Sequence, residues 1–156
     1  MTDASTPVLL TIAPMTVAVL RETVPVAALT EFFDRAFTMV PSVLAQQGIV
    51  AAGPPMAVYS GVPSGVATVA AGVPTATPVS PVHGVSSLTL PAGRVARVIH
   101  RGAYDALGES YQALTDWLHE QGLEPGPMMW ESYLTEPTPG GDPADLLTEI
   151  TWPLAR

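Results

Sequence analysis

The chain has 156 residues, with fourteen acids against six bases, all six of them arginine, for a net charge of −8. That balance argues against nucleic-acid binding, which needs a cationic surface to displace counterions. The chain has no cysteine, which excludes disulfides, thiolate metal sites and thiol nucleophiles, and its length suits one domain, 1–156, with a real core.

In chain order, Val8 to Leu20 is mildly apolar, interrupted by Pro14 and preceded by no Lys or Arg. A signal peptide wants a basic start and an unbroken apolar stretch, so this segment predicts two strands. No run is long enough to span a membrane, and the cytoplasm is the expected location. Leu29, Phe32, Phe33, Ala36, Phe37, Val40 and Leu44 fall on one helical stripe, which Pro41 is expected to kink or divide. No Asp, Glu, Lys or Arg occurs from Ala36 to Gly93. Valine alternation broken by Pro and Gly predicts short strands and turns there, with a strand at Val66–Ala70 and a crossover within Tyr59–Val85. Ser86–Leu90 and Arg94–His100 flank Pro91-Ala92-Gly93 and predict a hairpin. Leu107, Tyr111, Leu114, Trp117, Leu118 and Gln121 predict a second helix, with Asp105 and Glu109 suited to its start and Gly122 to its left-handed cap. Thr135–Ala144 reads as a Pro/Gly loop and Leu146–Trp152 as the last strand.

The chain is written twice. Pro14-Met15-Thr16-Val17-Ala18-Val19, a periodic stretch ending Gln47-Gly48-Ile49, and Pro55-Met56-Ala57-Val58-Tyr59 have counterparts later. These are Arg94-Val95-Ala96-Arg97-Val98, a stretch ending Gln121-Gly122-Leu123, and Met128-Met129-Trp130-Glu131-Ser132-Tyr133. Val17 aligns with Val95, Gly48 with Gly122 and Tyr59 with Tyr133. The expected fold is therefore α+β, two tandem β-α-β-β repeats about a pseudo-twofold axis with approximate halves 1–80 and 81–156. Helices would cover one face of a curved antiparallel sheet. The other face would curve around a central groove, a natural small-molecule site.

Glu131 stands out within Met128–Leu134. An ionised carboxylate in such a strand costs several kcal/mol unless paired, and no Lys or Arg occurs from Gly102 to Ala155. Either a distant Arg, such as Arg97 or Arg101, pairs with it, or the missing cation is a ligand. Alternation puts Met129, Glu131 and Tyr133 on one face. The first copy has Ala57 and Tyr59 there, so it keeps the tyrosine and lacks the acid. Trp130 points away from Glu131. Trp117, Met56, Met128 and Met129 read as core, though methionine also suits a promiscuous pocket. Trp152 is placed where it closes a groove mouth, and Glu149 is either a second pocket acid or, the simpler reading, solvent-facing. His83, His100 and His119 lack metal spacing, and no metal or cofactor motif is found.

Arg101-Gly102-Ala103-Tyr104-Asp105-Ala106-Leu107, Trp117-Leu118-His119-Glu120-Gln121-Gly122-Leu123, Glu131-Ser132-Tyr133-Leu134 and Thr148-Glu149-Ile150-Thr151-Trp152-Pro153-Leu154, in that order, resemble the GyrI-like domain. This is also the effector-binding domain of bacterial multidrug-responsive transcription activators. The resemblance covers nearly the whole chain. It implies binding of bulky, lipophilic, often cationic compounds in a groove, with the family's acidic residue at Glu131 and its G-x-Y tyrosine at Tyr104. No room is left before the first strand for the helix-turn-helix that some members carry. Some stand-alone relatives hydrolyse cyclopropane-containing alkylating natural products, and another inhibits DNA gyrase, so the family alone does not fix the activity.

Three functions follow as expectations. The first is multidrug binding, with ligand contacts from Glu131, Tyr133, Tyr104, Tyr59, Met129, Ala57 and Trp152. The second is cyclopropane hydrolysis, with Glu131 acting on water and Tyr104 or Tyr133 donating to the developing oxyanion. The third is a protein-interaction role for the acidic second half. The expected partner is a lipophilic cation, with no nucleic acid and no membrane.

Overall fold

The computed structural model describes residues 3–4, 6–61, 65–135 and 141–155. It is an α+β fold in which every strand pairing within the two units is antiparallel. The chain divides into two compact units, residues 13–92 and residues 1–12 with 93–156.

The unit 13–92 contains β3 (Met15–Pro25), α1 (Leu29–Gln47), β4 (Met56–Tyr59), β5 (Val66–Pro74) and β6 (Val85–Leu90). Its strands run in the order β6-β3-β5-β4. Ala18 and Leu20 of β3, Val73 of β5 and Val85 of β6 pack against Val40, Val43 and Leu44 of α1. The alternation of β3 thus turns one face toward the helix. Gly72 of β5 lies opposite Val19, where a side-chain carbon would come within 1.7 Å of the Ala18 carbonyl oxygen. Only glycine lets the two backbones approach so closely.

The other unit contains β1 (Asp3–Ala4), β2 (Val8–Ile12), β7 (Gly93–Arg101), α2 (Leu107–Glu120), β8 (Met129–Tyr133) and β9 (Leu147–Pro153). β1 and β2 both pair with β7, and the order continues β7-β9-β8. The repeat is exact at several points. Val17 faces Pro74 and Val95 faces Pro153. Gly48 and Gly122 both end a helix in the left-handed region, at φ 68° and 71°. In each, the following residue donates back to the helix, Ile49 to the Leu44 carbonyl and Leu123 to the Leu118 carbonyl, both at 2.9 Å. These are paired Schellman caps.

Three expectations need correction. β6 and β7 are not a hairpin: β6 pairs with β3, in register from Met15 opposite Leu90 to Leu20 opposite Val85, and β2 pairs with β7. Each short strand therefore crosses over to the long strand of the other repeat. The turn Pro91-Ala92 offers hairpin chemistry, but long-range pairing of apolar faces overrides it. Second, Pro41 does not divide the first helix: α1 is one element from Leu29 to Gln47. Pro41 is exposed, while Val40, Val43 and Leu44 on either side of it are buried, and their packing offsets the hydrogen bond that proline removes. Third, the helix does not lie opposite the face that carries Glu131. Tyr133, Thr148 and His100 stand abreast on β8, β9 and β7, and His100 bonds to Ser110 of α2. Glu131, two residues before Tyr133, shares that helix-bearing face.

The Pro/Gly loop expected at Thr135–Ala144 runs through 136–140, which lie outside the described residues. Its end enters a 3-10 turn, Pro143–Asp145.

Candidate functional site

Glu131 lies in the middle of β8, opposite Ile150 and 3 % exposed. Alternation carries Met129 and Tyr133 to the same face, and Tyr133 Oη donates a 2.7 Å hydrogen bond to Glu131 Oε1. Among the described residues Glu131 has no ion-pair partner. The two candidate arginines are on the opposite face of the sheet: Arg97 and Arg101 occupy the alternate positions of β7. Arg97 Nε donates to Thr151 Oγ1 at 3.1 Å and lies 3.5 Å from Glu149 Oε1. Glu149 is thus the arginine's partner on the far face and not a second acid beside Glu131. Burial pushes the Glu131 carboxyl from its ordinary 4.5 up to about 7, opposed in part by the Tyr133 hydrogen bond. A carboxylate with no cation beside it follows this direction because desolvation disfavours the charged form.

Aromatic rings flank Glu131 at both ends. Toward Tyr133, the Tyr104 ring meets the Tyr133 ring edge-on, 5.8 Å between centroids. Burial raises the Tyr104 hydroxyl pKa, and the Glu131 charge adds to it. Toward Met129, the Trp152 ring meets Tyr111 of α2 edge-on at 6.4 Å. Trp152 is buried, and its indole Nε1 donates to the Gly126 carbonyl at 2.9 Å, which fixes the ring.

Tyr104 opens the 3-10 turn Tyr104–Ala106 ahead of α2, and a buried histidine fastens that turn. His100 Nε2 lies 3.0 Å from the Ala103 carbonyl oxygen and Nδ1 lies 2.7 Å from Ser110 Oγ. A carbonyl only accepts, so Nε2 carries the hydrogen, and in the neutral ring Nδ1 accepts from the serine hydroxyl. The equivalent place in the unit 13–92 is Glu22, which faces Val69 and binds Arg35 of α1. Each unit therefore ties the same strand position to its own helix.

Two hydroxyls on this face, Thr148 Oγ1 and Tyr111 Oη, are buried without a hydrogen-bond partner among the described residues. Neither was singled out from sequence as a site residue. Tyr111 carried a signal only as part of the helical stripe that begins at Leu107. Thr148 carried none. Ala57 and Tyr59 lie in the unit 13–92, both buried on the face that packs on α1. They repeat the Glu131 and Tyr133 positions, with the carboxylate absent. Trp130 is buried on the face opposite Glu131, as expected. Trp117 is only half-buried. It lines, with Pro7, Val98, Ser110 and Leu114, a cleft of about 310 Å³ on the β7 flank of α2, whose lining does not include Glu131.

Among the described residues no group of three or more His, Asp or Glu could hold a metal ion, and no helix is long and apolar enough to cross a membrane.

No curated protein sequence matches the chain. Solved structures do. The EcmrR C-terminal domain superposes with a TM-score of 0.84 at 20% identity, over 97% of this chain and 98% of that one. The chain covers 57% of EcmrR as seen in its DNA complex. SAV2435 bound to tetraphenylphosphonium matches with a TM-score of 0.68 at 16% identity, over 96% of this chain and 94% of that one. A hydrolase from Listeria innocua matches with a TM-score of 0.63 at 9% identity, over 96% and 91%. At these identities the likenesses speak to the fold alone. The model of the GyrI-like small molecule binding domain matches residues 5–155, and the chain belongs to that family.

Proposed function

We propose that this protein binds bulky lipophilic cations at Glu131, with Tyr104, Tyr133, Tyr111, Met129 and Trp152 as walls. One observation carries the reading: a carboxylate 3 % exposed between aromatic rings, with no ion-pair partner among the described residues. A buried acid of that kind is costly unless a cation arrives. Cation–π contacts contribute roughly 0.5–2 kcal/mol each, and with apolar burial a micromolar complex, about −8 kcal/mol, is reasonable. That SAV2435, with the same fold, binds tetraphenylphosphonium supports the ligand class. Tetraphenylphosphonium is also the natural probe, because its charge is independent of pH. Glu131→Gln is expected to weaken its binding roughly 30-fold at pH 8, by isothermal titration. Unchanged affinity would refute the assignment.

A second reading is hydrolysis of a strained cyclopropane ring. It is favoured by the position of the Glu131 pKa, about 7, where a carboxylate serves as a general base for water. Tyr133 Oη is already engaged with Glu131, which leaves Tyr104 to donate to the substrate oxyanion. Incubation with a cyclopropane-bearing alkylator would give ring-opened product above the buffer rate in wild type and not in Glu131→Gln. Equal rates in protein and buffer would end this reading.

A further inference from the structure

Thr148 is fully buried, and its hydroxyl has no hydrogen-bond partner among the described residues. It sits on the same face as Glu131, directly across from Tyr133, the residue that donates to Glu131. Buried hydroxyls are nearly always satisfied, and at this position valine would keep the shape without the polar atom. A second hydroxyl, Tyr111 Oη, is likewise buried and unpartnered, on the ring that packs against Trp152 at the other end of the face. Backbone ladders and α2 contacts account for the other polar groups here: His100 and Ser110 satisfy each other, and the Trp152 indole is satisfied by Gly126.

We infer that Thr148 is a specificity-determining residue which accepts a hydrogen bond from the ligand, so that the preferred cation is one bearing N–H donors, a protonated amine or amidine. This rests on the reading of Glu131 as the cation acceptor and adds to it. Glu131 requires a positive charge, and cations carry that charge with or without N–H hydrogens. A quaternary ammonium or phosphonium satisfies the carboxylate by field alone and leaves Thr148 unpartnered. A protonated amine offers several N–H groups, one for the carboxylate and another for the threonine oxygen. The hydroxyl keeps a donor of its own for Glu131 or for a ligand acceptor.

The test compares two probes of one shape, para-biphenylmethylammonium and its N,N,N-trimethyl counterpart, at pH 8 by isothermal titration. Thr148→Val should bind the ammonium about tenfold more weakly than wild type while the trimethylammonium changes by less than about twofold. The variant is isosteric and removes an unsatisfied group, so its thermal midpoint should equal or exceed that of wild type. Equal changes for both probes, or no change for either, would overturn the assignment of Thr148. Glu131→Gln run alongside separates the two claims. It should weaken both probes. If it weakens both and Thr148→Val is not selective, only the threonine inference fails. If it weakens neither, the cation site itself is wrong and this inference falls with it.

Discussion

In the ligand-free protein, Glu131→Gln is expected to raise stability by about 3 kcal/mol at pH 8 and by nearly nothing at pH 4. The Glu131 carboxyl is raised from an ordinary 4.5 to about 7 in the folded state, so the folded protein holds its proton more tightly than the unfolded chain does. Stability from this group is therefore fully present below about 4.5 and is lost as pH rises through about 7. At about 1.4 kcal/mol for each pH unit of separation, the loss reaches about 3 kcal/mol above pH 8. Glutamine stays neutral and still accepts the Tyr133 hydrogen bond, so its curve lacks this decline. Urea unfolding of both proteins between pH 4 and 8 checks it. Parallel curves would mean that Glu131 ionises in the folded state as readily as in water. A gain in stability on removing a residue is the signature of a group kept for binding rather than for folding.

His100→Leu should lower stability by roughly 3 kcal/mol and also weaken cation binding. Leucine fills most of the volume but strands the Ala103 carbonyl and the Ser110 hydroxyl that His100 bridges. A buried group left unsatisfied costs about 1–3 kcal/mol, and Ser110 recovers part of this by turning to a carbonyl in its own helix. The functional effect follows from place in the chain. Ala103 immediately precedes Tyr104, and the Gly102 amide is bound to the Leu146 carbonyl at 2.8 Å, so the turn is anchored on both sides of the peptide that sets the Tyr104 ring. Loss of one anchor lets that ring leave Tyr133. Urea unfolding measures the first effect and titration with tetraphenylphosphonium the second. A variant that is destabilised with intact affinity would make His100 purely structural.

Glu131 was legible because two local signals agree there: an acid within an apolar run and a long segment without a base. The repeat was legible because its units use the same turn chemistry, left-handed glycines at Gly48 and Gly122 after helices of matching pattern. What escaped the sequence depends on contacts distant in the chain. The partner of β6 is β3, some seventy residues earlier, and the local turn before β7 pointed the other way. The face that α2 covers is set by which side of β7 carries His100. Arg97 was an open candidate for Glu131 because strand parity alone does not say which strands adjoin. Once β7, β9 and β8 are aligned, Arg97 falls opposite Thr151 and on the far side from Glu131. Thr148 had no distinguishing neighbours in sequence, and its interest arises only from a hydroxyl that packing leaves unanswered.

The central claim is that ionised Glu131 receives the cation, and pH dependence of binding tests it most directly. Tetraphenylphosphonium should be titrated at pH 5 and at pH 8 against wild type and Glu131→Gln. With a carboxyl near 7 in the free protein, about 1 % is ionised at pH 5 and most of it at pH 8, and the neutral carboxyl binds no better than glutamine, so wild-type affinity should rise roughly 20-fold between them. Glu131→Gln should bind weakly and equally at both. Equal wild-type affinity at pH 5 and pH 8, or the same rise in the glutamine variant, would contradict the account.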